Sequence, residues 1–240
     1  ARTKLHVLGH LGYDESTIGE LVFSVPADAD LLIAVGTGSI NDMCRFTAYK
    51  LRIPYYIVAT GAPMDGFAAS IAVMNINNMK TTVPARSPRA VIGDTDVLKN
   101  APMKMTVAGV GDMLGKYSSL SDWKLARIIT GEYYCPTVAA IMENCLADVM
   151  DDVRRIKNRE ADVNGELLNC LVLSGVVMGM VGNSRPASGC EHHMSHFWET
   201  ILRQRGTEPA YHGLQVAVGT VMVLKFAGIF RREKPDFDRA

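Results

Sequence analysis

The feature that most constrains this chain is a strand, a glycine turn and a helix in direct succession. Leu31 to Val35 form a continuous apolar run, which is typical of a buried parallel strand. The turn Gly36-Thr-Gly-Ser39 follows at once, and Ile40 to Leu51 has the apolar spacing of a helix. Similar short runs bounded by Gly, Pro or Asp predict further strands at Leu5 to Leu8, Tyr55 to Ala59 and Ala90 to Ile92. This alternation predicts an open α/β sheet.

The glycine turn is also a candidate phosphate-binding element. Glycines allow close approach of the backbone, and the free N–H groups and positive end of the new helix attract an anion. A plain tight turn explains the same residues, because the third glycine of the usual dinucleotide motif is missing. Thr60 to Gly66 brings small residues and Asp65 to the end of the next strand, where ligands of such sheets gather. Asp65 could equally cap a turn.

The second half of the chain has a different period. From about Pro102 onward the strand signals stop and long stretches with helical apolar spacing take over. We therefore predict an α/β domain over residues 1–101 and an all-helical domain over 102–240, with the boundary resting only on this change. The two most apolar stretches, Leu167 to Gly182 and Leu214 to Phe230, are expected to be buried core helices.

Composition excludes several classes of partner and location. With 25 basic and 25 acidic residues the net charge is zero, so no extended field attracts nucleic acid or an anionic membrane. The five cysteines are odd in number and form no C-x-x-C pair, which argues against a disulfide framework and a thiolate zinc site. We expect a reducing, cytoplasmic setting. Ala1-Arg-Thr-Lys4 leads directly into the first apolar run, so no signal peptide is expected.

Histidines cluster near the end of the chain. Four of the six fall between His192 and His212. On a helix, His192 and His196 share one face, whereas His193 turns away and is best explained as a surface residue. Neutral imidazole is a common ligand of divalent metals, and a catalytic metal usually has three protein ligands. The cluster therefore predicts a metal site that needs one more ligand.

A carboxylate that could complete this site lies in an apolar, glycine-containing stretch. Asp112 interrupts the segment Val107 to Lys116, and a buried carboxylate needs a cationic partner. Lys116 is four residues later and could be that partner through a salt bridge on one helix face. Spacing alone leaves both the metal and the salt bridge open.

Five segments together resemble a known family. They are Gly-Thr-Gly-Ser-Ile-Asn-Asp (36–42), Ala-Thr-Gly-Ala-Pro-Met-Asp-Gly (59–66), Gly-Asp-Met-Leu-Gly-Lys (111–116), Ser-Arg-Pro-Ala-Ser-Gly-Cys-Glu-His (184–192) and Tyr-His-Gly (211–213). In this order they are similar to the glycerol-1-phosphate dehydrogenases, which are grouped with glycerol dehydrogenases, dehydroquinate synthases and iron-containing alcohol dehydrogenases. The likeness covers nearly the whole chain. It implies an N-terminal dinucleotide-binding domain, a helical C-terminal domain and a metal in the cleft between them.

The resemblance also implies roles for individual residues. The cofactor pyrophosphate would lie on Gly36, Thr37, Gly38, Ser39 and Ile40, and the rest of NAD or NADP along Thr60, Gly61, Ala62, Pro63 and Ala69. The metal ligands would be Asp112, His192 and His212. The substrate would contact Asp65 and Asp112, while His196 would touch it and relay the proton. Arg185 precedes the first histidine ligand by seven residues, and its guanidinium could grip a phosphate.

The implied reaction is the reversible, NAD(P)H-linked reduction of dihydroxyacetone phosphate to sn-glycerol 1-phosphate, a step of phospholipid metabolism. One divalent metal would polarise the carbonyl; zinc is favoured, with nickel, iron or manganese as alternatives. Rival interpretations are a glycerol dehydrogenase, a dehydroquinate-synthase-like enzyme, or an inactive scaffold that retains the metal site. The segment 184–189 favours the phosphate-specific enzyme.

Two departures from the family pattern bear on cofactor binding. The chain starts at what resembles the family's second or third strand, so we expect an incomplete dinucleotide-binding domain. Pro63 and Ala69 stand where hydroxyl residues are expected to face the cofactor, although Ser70 is adjacent. Exposed sheet edges would favour a homo-oligomer.

Overall fold

The N-terminal part of the protein is a small parallel sheet with helices. The computed structural model describes residues 2–9, 13–77 and 79–232. Strands β1 (Leu32–Gly36), β2 (Tyr55–Ala59) and β5 (Ala90–Gly93) pair in parallel in the order β1-β2-β5. Around them lie three helices: α1 (Glu15–Ser24), α2 (Gly38–Leu51) and α3 (Thr95–Asn100). The predicted succession of strand, glycine turn and helix is therefore correct at β1 and α2.

A second, antiparallel sheet was not predicted from the sequence. Strands β3 (Ile71–Ile76) and β4 (Met79–Pro84) form a hairpin between β2 and β5. Asn77 turns it with a φ of 52°, a conformation that asparagine tolerates better than most residues. The sequence carries no Asn-Gly or Asp-Gly pair there, so the usual hairpin signal is absent. Before it, a 3-10 turn spans Gly66–Ala68.

One predicted strand is wrong. Leu5 to Leu8 is in neither sheet, and Leu5 and Val7 are exposed. Apolar and polar residues alternate in this segment, but within the described residues no strand pairs with it. A β-strand needs a paired neighbour, which periodicity alone does not supply.

The second part of the chain is helical. It contains α4 (Met103–Leu114), α5 (Lys116–Thr130), α6 (Pro136–Asp151), α7 (Val153–Lys157), α8 (Ala161–Val181), α9 (Cys190–Gln204) and α10 (His212–Arg232). The predicted fold class, an α/β region followed by an all-helical one, is confirmed. The division at residue 101 stays a prediction. All five cysteines carry free thiols, so the expectation of no disulfide framework agrees with the structure.

The two longest apolar helices differ in burial. By length and composition α8 and α10 could each cross a membrane; half of the apolar window is buried in α8 and 28% in α10. Helix α8 is thus the predicted core helix, with Leu167 and Leu171 fully buried. Helix α10 differs from the same expectation, because its exposed side carries apolar residues: Val218, Val221, Met222, Leu224, Phe226 and Ile229.

Close backbone contacts hold the helices that carry the histidine and carboxylate candidates. Helix α10 begins against α4, and a Cβ atom on Gly213 would lie 1.9 Å from the carbonyl oxygen of Ala108. On the other side of α4, a Cβ on Gly109 would lie 2.0 Å from the carbonyl oxygen of Ala62. Only glycine permits both approaches. Helix α4 therefore contacts the loop after β2 and the start of α10 at once.

Candidate metal and substrate site

Three side chains predicted to bind metal meet at one point. Asp112 lies near the end of α4, His192 in the first turn of α9, and His212 at the first residue of α10. Their ligand atoms all lie within 4.8 Å of one another. Nε2 of His192 is 3.3 Å from Oδ1 of Asp112, and the rings of His192 and His212 are 5.1 Å apart between centroids. Two imidazoles and one carboxylate are a donor set that suits a catalytic divalent metal.

Neighbouring side chains orient both imidazoles. Nδ1 of His192 lies 2.7 Å from Oε1 of Glu191, so Nδ1 donates to this carboxylate and Nε2 is the nitrogen that would coordinate a metal, after losing its proton. Glu191 is buried and is itself held by the hydroxyl of Ser118 at 2.5 Å. Nδ1 of His212 lies 3.3 Å from the Ser195 hydroxyl. Such outer contacts fix ring orientation in metal sites. The residues present therefore fit a metal ion.

The three proposed ligands differ in protonation state. Burial opposes the charged form of Asp112, but the charges of Lys116 and His192 outweigh it and hold its pKa well below the usual range. Burial opposes protonation of His192, yet its hydrogen bonds to Asp112 and Glu191 raise its pKa to about 9. Burial lowers the pKa of His212 to about 4. Near pH 7 the site therefore holds an ionised Asp112, a neutral His212 and a protonated His192, whose Nε2 proton a bound metal ion would displace.

Lys116 lies in the site and forms the salt bridge with Asp112 that its spacing suggested. Its ammonium is fully buried and lies 3.4 Å from Oδ1 of Asp112. Its shorter contact, 2.6 Å, is with Oδ2 of Asp65. The Asp65 carboxylate also accepts from the Ser174 hydroxyl, and the Asp65 N–H donates to Asp112. The salt bridge and the metal ligand set thus share Asp112. The link from Lys116 to Asp65 was missed, because it spans 51 residues.

The two glycine-rich turns predicted to hold the cofactor are neighbours. Gly36 is paired with Ala59 in the parallel register, and the Thr60 N–H donates to the Gly36 carbonyl at 3.1 Å. Thr37 is the N-cap of α2 and makes no side-chain bond to the first turn of that helix. The N–H groups there are therefore uncapped by its hydroxyl. The cofactor contacts themselves stay a prediction, which extends from Gly36 to Ile40 and from Thr60 to Pro63 and Ala69.

His196 lies beside the three ligands. Its ring centroid is 5.4 Å from that of His212 and 6.2 Å from that of His192. Shielding of the ring from water, followed by the positive charge of Lys80, lowers its pKa to about 3. The imidazole is therefore neutral near pH 7 and can donate or accept one proton. Its predicted contact with substrate is compatible with this place, and stays a prediction.

Two further cations lie in different surroundings. Arg185, predicted to grip a phosphate, donates from Nε and an Nη atom to the Glu132 carboxylate, both at 2.8 Å. That fork already has a carboxylate in the place a phosphate would take, so the structure lends its predicted role no support. Lys80 on β4 lies 2.5 Å from Glu199 on α9, and its charge acts on His196 and His212. Lys80 stands in the unpredicted β3–β4 hairpin, so no sequence pattern pointed to it.

Comparison with known proteins places this geometry in context. Residues 3–102 match the family described as iron-containing alcohol dehydrogenase. Glycerol-1-phosphate dehydrogenase [NAD(P)+] of Bacillus licheniformis is 39% identical over 90% of this chain and 54% of its own length. The protein of that name from Pyrococcus horikoshii is 38% identical over 82% of this chain and 56% of its own length. The chain thus spans about half the length of these relatives.

Solved structures show the same fold. A probable glycerol dehydrogenase from Sinorhizobium meliloti superposes with a TM-score of 0.71 at 23% identity, over 89% of this chain and 61% of that one. Glycerol dehydrogenase from Schizosaccharomyces pombe gives a TM-score of 0.73 at 21% identity, over 94% of this chain and 58% of that one. At these identities the likeness concerns the fold, and substrate choice has to come from the site.

Proposed function

We propose that this chain, which matches the iron-containing alcohol dehydrogenase family over residues 3–102, serves the metal-dependent, NAD(P)H-linked reduction of dihydroxyacetone phosphate to sn-glycerol 1-phosphate. The observation that carries the proposal is the convergence of Asp112, His192 and His212 within 4.8 Å. The relatives named glycerol-1-phosphate dehydrogenase favour this reaction over oxidation of unphosphorylated glycerol. The chain covers about half of those relatives, so the activity is a proposal about the machinery it contains.

The three ligands would hold a divalent metal ion. A metal ion held there supplies a Lewis acid for a carbonyl oxygen, and NADH or NADPH supplies the hydride. The mixed nitrogen and oxygen donors suit zinc, and also nickel or iron. Glu191 keeps the His192 tautomer that exposes Nε2, and Ser195 restrains His212. The chain thereby sets the direction from which a substrate oxygen can approach.

The carboxyl edge of the parallel sheet would bind the cofactor. Gly36 to Ile40 supply the turn and the first N–H groups of α2, where an anion is favoured. Thr60 to Pro63 run next to this turn, and Ala69 follows the short 3-10 helix. The loop continues to Asp65, whose N–H contacts Asp112. One segment thus connects the proposed cofactor edge to the proposed metal ligands.

Proton delivery would fall to His196. As a neutral imidazole beside His212 it can pass one proton from solvent to a developing alkoxide. Asp65 is held by Lys116 and Ser174, which orients its carboxylate as an acceptor for a substrate hydroxyl. These residues bind, orient and protonate, which is what the reduction of a small ketone requires from the protein.

The test is a substrate screen with the purified chain. NADH and NADPH oxidation would be followed with dihydroxyacetone phosphate or dihydroxyacetone, after loading with zinc, nickel or iron. We expect metal-dependent oxidation with the phosphorylated ketone, lost in His192→Ala and kept in His193→Ala. His193 is the matched control, since it is exposed and adjacent on the same helix. Equal activity in His192→Ala and the unchanged chain would contradict the proposal.

A further inference from the structure

The hairpin brings a lysine onto the helix that carries the metal-site histidines. Nζ of Lys80 lies 2.5 Å from Oε2 of Glu199. Glu199 follows His196 by three residues and His192 by seven, so all three side chains share one face of α9. One turn of helix is about 5.4 Å, which places the Lys80 ammonium roughly one turn beyond His196.

The Lys80–Glu199 ion pair has further polar and charged neighbours. Glu199 accepts from the Tyr13 hydroxyl at 2.9 Å and from Nε of Arg203 at 3.4 Å. The Arg203 guanidinium lies 4.8 Å from the centre of the Tyr13 ring. Burial opposes ionisation of Glu199, but the charge and hydrogen bond of Lys80 and the hydrogen bond from Tyr13 hold its pKa below the usual range. Two cations therefore share the Glu199 carboxylate, and Asp42, a second carboxylate within reach of Lys80, is already paired with Arg45 at 3.2 Å.

We propose that Lys80, supported by Arg203, binds the phosphate group of a small phosphorylated substrate whose other end lies at Asp112, His192 and His212. The inference rests on the proposed function and deepens it, because it assigns the residue that would select a phosphorylated three-carbon compound. An ammonium offers three N–H donors, and within the described residues Glu199 takes one of them. The others can meet phosphate oxygens without breaking the ion pair.

The other cations near the site are less available. Lys116 is fully buried and donates to Asp65, Asp112 and the Ala187 carbonyl, which uses its three donors. Arg185 is paired through two hydrogen bonds with Glu132. Lys80, by contrast, is held by Glu199, which stands one helical turn after His196 on α9.

A simpler role for Lys80 is to tie the hairpin to α9 through its ion pair. The two roles differ in what they predict for ligands. A structural tie would affect phosphorylated and unphosphorylated ligands alike, through stability. A phosphate contact would affect only the phosphorylated ligand.

Calorimetric binding by the zinc-loaded chain separates these roles. The ligands are sn-glycerol 1-phosphate and glycerol, and the variants are Lys80→Met and the matched control Arg185→Met. We expect Lys80→Met to weaken binding of sn-glycerol 1-phosphate at least tenfold and to leave glycerol within about twofold, corresponding to roughly 1.4 and 0.4 kcal/mol. Arg185→Met should leave both unchanged. Equal affinity of the unchanged chain for the two ligands would overturn the inference, as would an unaltered Lys80→Met.

A second variant keeps the inference testable if Lys80→Met does not fold. Glu199→Gln removes the carboxylate that would repel a phosphate while keeping the hydrogen-bonding shape. We expect it to bind sn-glycerol 1-phosphate more tightly, by severalfold, with glycerol unchanged. Weaker binding of the phosphorylated ligand in Glu199→Gln would overturn the inference in favour of a structural tie.

Failure of the proposed function would look different. Phosphate-selective binding that depends on Lys80, without any NAD(P)H oxidation, would refute the proposed reaction and support the subsite. Metal-dependent reduction with the same KM for dihydroxyacetone phosphate in Lys80→Met would support the reaction and refute the subsite.

Discussion

Two regions differ in how far the protein encloses them. One is the cluster of Asp112, His192 and His212, and the other is the sheet edge at Gly36 to Ile40 that is proposed to bind the nucleotide. Asp112 is fully buried and has protein partners on both carboxylate oxygens. At the sheet, Ile33 and Val35 of β1 are 55% and 60% exposed. Parallel strands are normally covered on both faces, so this side of the sheet lacks a covering layer within the described residues. We therefore expect metal affinity to depend mainly on contacts already in place, and cofactor affinity to depend on a less enclosed surface.

The largest expected effect tests how tightly the cluster is balanced. In Lys116→Met, the Asp65 and Asp112 carboxylates lose a fully buried cation. Removing one partner of a buried ion pair costs about 3–5 kcal/mol, so the free energy of unfolding should fall by that amount. Zinc should restore part of the loss, because it supplies positive charge to Asp112. Urea denaturation with and without zinc measures both effects. Unchanged stability of Lys116→Met without metal would contradict the importance of the buried ion pairs in the cluster.

A somewhat smaller effect is expected where α10 meets α4. In Gly213→Ala, a methyl group would lie 1.9 Å from the Ala108 carbonyl oxygen, so the two helices must move apart next to His212. Overpacking of this kind costs about 1–3 kcal/mol. Gly179→Ala is the matched control, since nothing lies within 4 Å of the added methyl on α8. Thermal unfolding should show a clear drop for Gly213→Ala alone; equal melting temperatures would contradict the close approach.

Glu191, which orients His192, should affect metal affinity strongly and the stability of the fold little. Glu191→Gln replaces the carboxylate that holds Nδ1 of His192 at 2.7 Å. Loss of such an outer contact lowers metal affinity by about 10–100-fold. Zinc competition with a chromogenic chelator reads this directly. An affinity equal to that of the unchanged chain would show that His192 is oriented without Glu191.

The smallest effect is expected at the open edge. In Gly38→Ala, the new methyl would lie 3.1 Å from the flexible end of Met64, so the fold should tolerate it. The bulk would still crowd a phosphate at the start of α2, and we expect NADH to bind about threefold more weakly, roughly 0.7 kcal/mol. Fluorescence titration with NADH tests this. If Gly38→Ala lost NADH affinity by as large a factor as the ligand variants lose zinc affinity, the sheet edge would be as enclosed as the cluster.

Local pattern predicted the parts of this structure that local chemistry determines. The glycine turn at Gly36 and the helix after it follow from residues that adjoin in sequence. The pairing of His192 and His196 on one helix face also followed from spacing. From the sequence, the partner of Asp112 could be either a metal or Lys116, and only the resemblance to a family grouped Asp112 with the histidines. The structure shows that Asp112 contacts both Lys116 and His192.

The failures come from contacts between distant segments. Leu5 to Leu8 has a strand-like pattern but no pairing partner among the residues that the structure describes, whereas strands β3 and β4 pair with each other without a standard turn signal. Lys80 could not be assigned from spacing, because its partner Glu199 is 119 residues away. Arg185 was a reasonable phosphate candidate by charge alone, and its pair with Glu132 depends on the folding of a loop.

The metal content of the purified chain and its ligand variants tests the proposed metal site most directly. Zinc would be removed by chelation, titrated back, and quantified by elemental analysis after gel filtration. We predict one equivalent of zinc in the unchanged chain and in His193→Ala, and at least a hundredfold loss of affinity in His192→Ala and His212→Ala, about 2.7 kcal/mol. Stoichiometric zinc of unchanged affinity in both ligand variants would contradict the assignment of Asp112, His192 and His212 as the metal site.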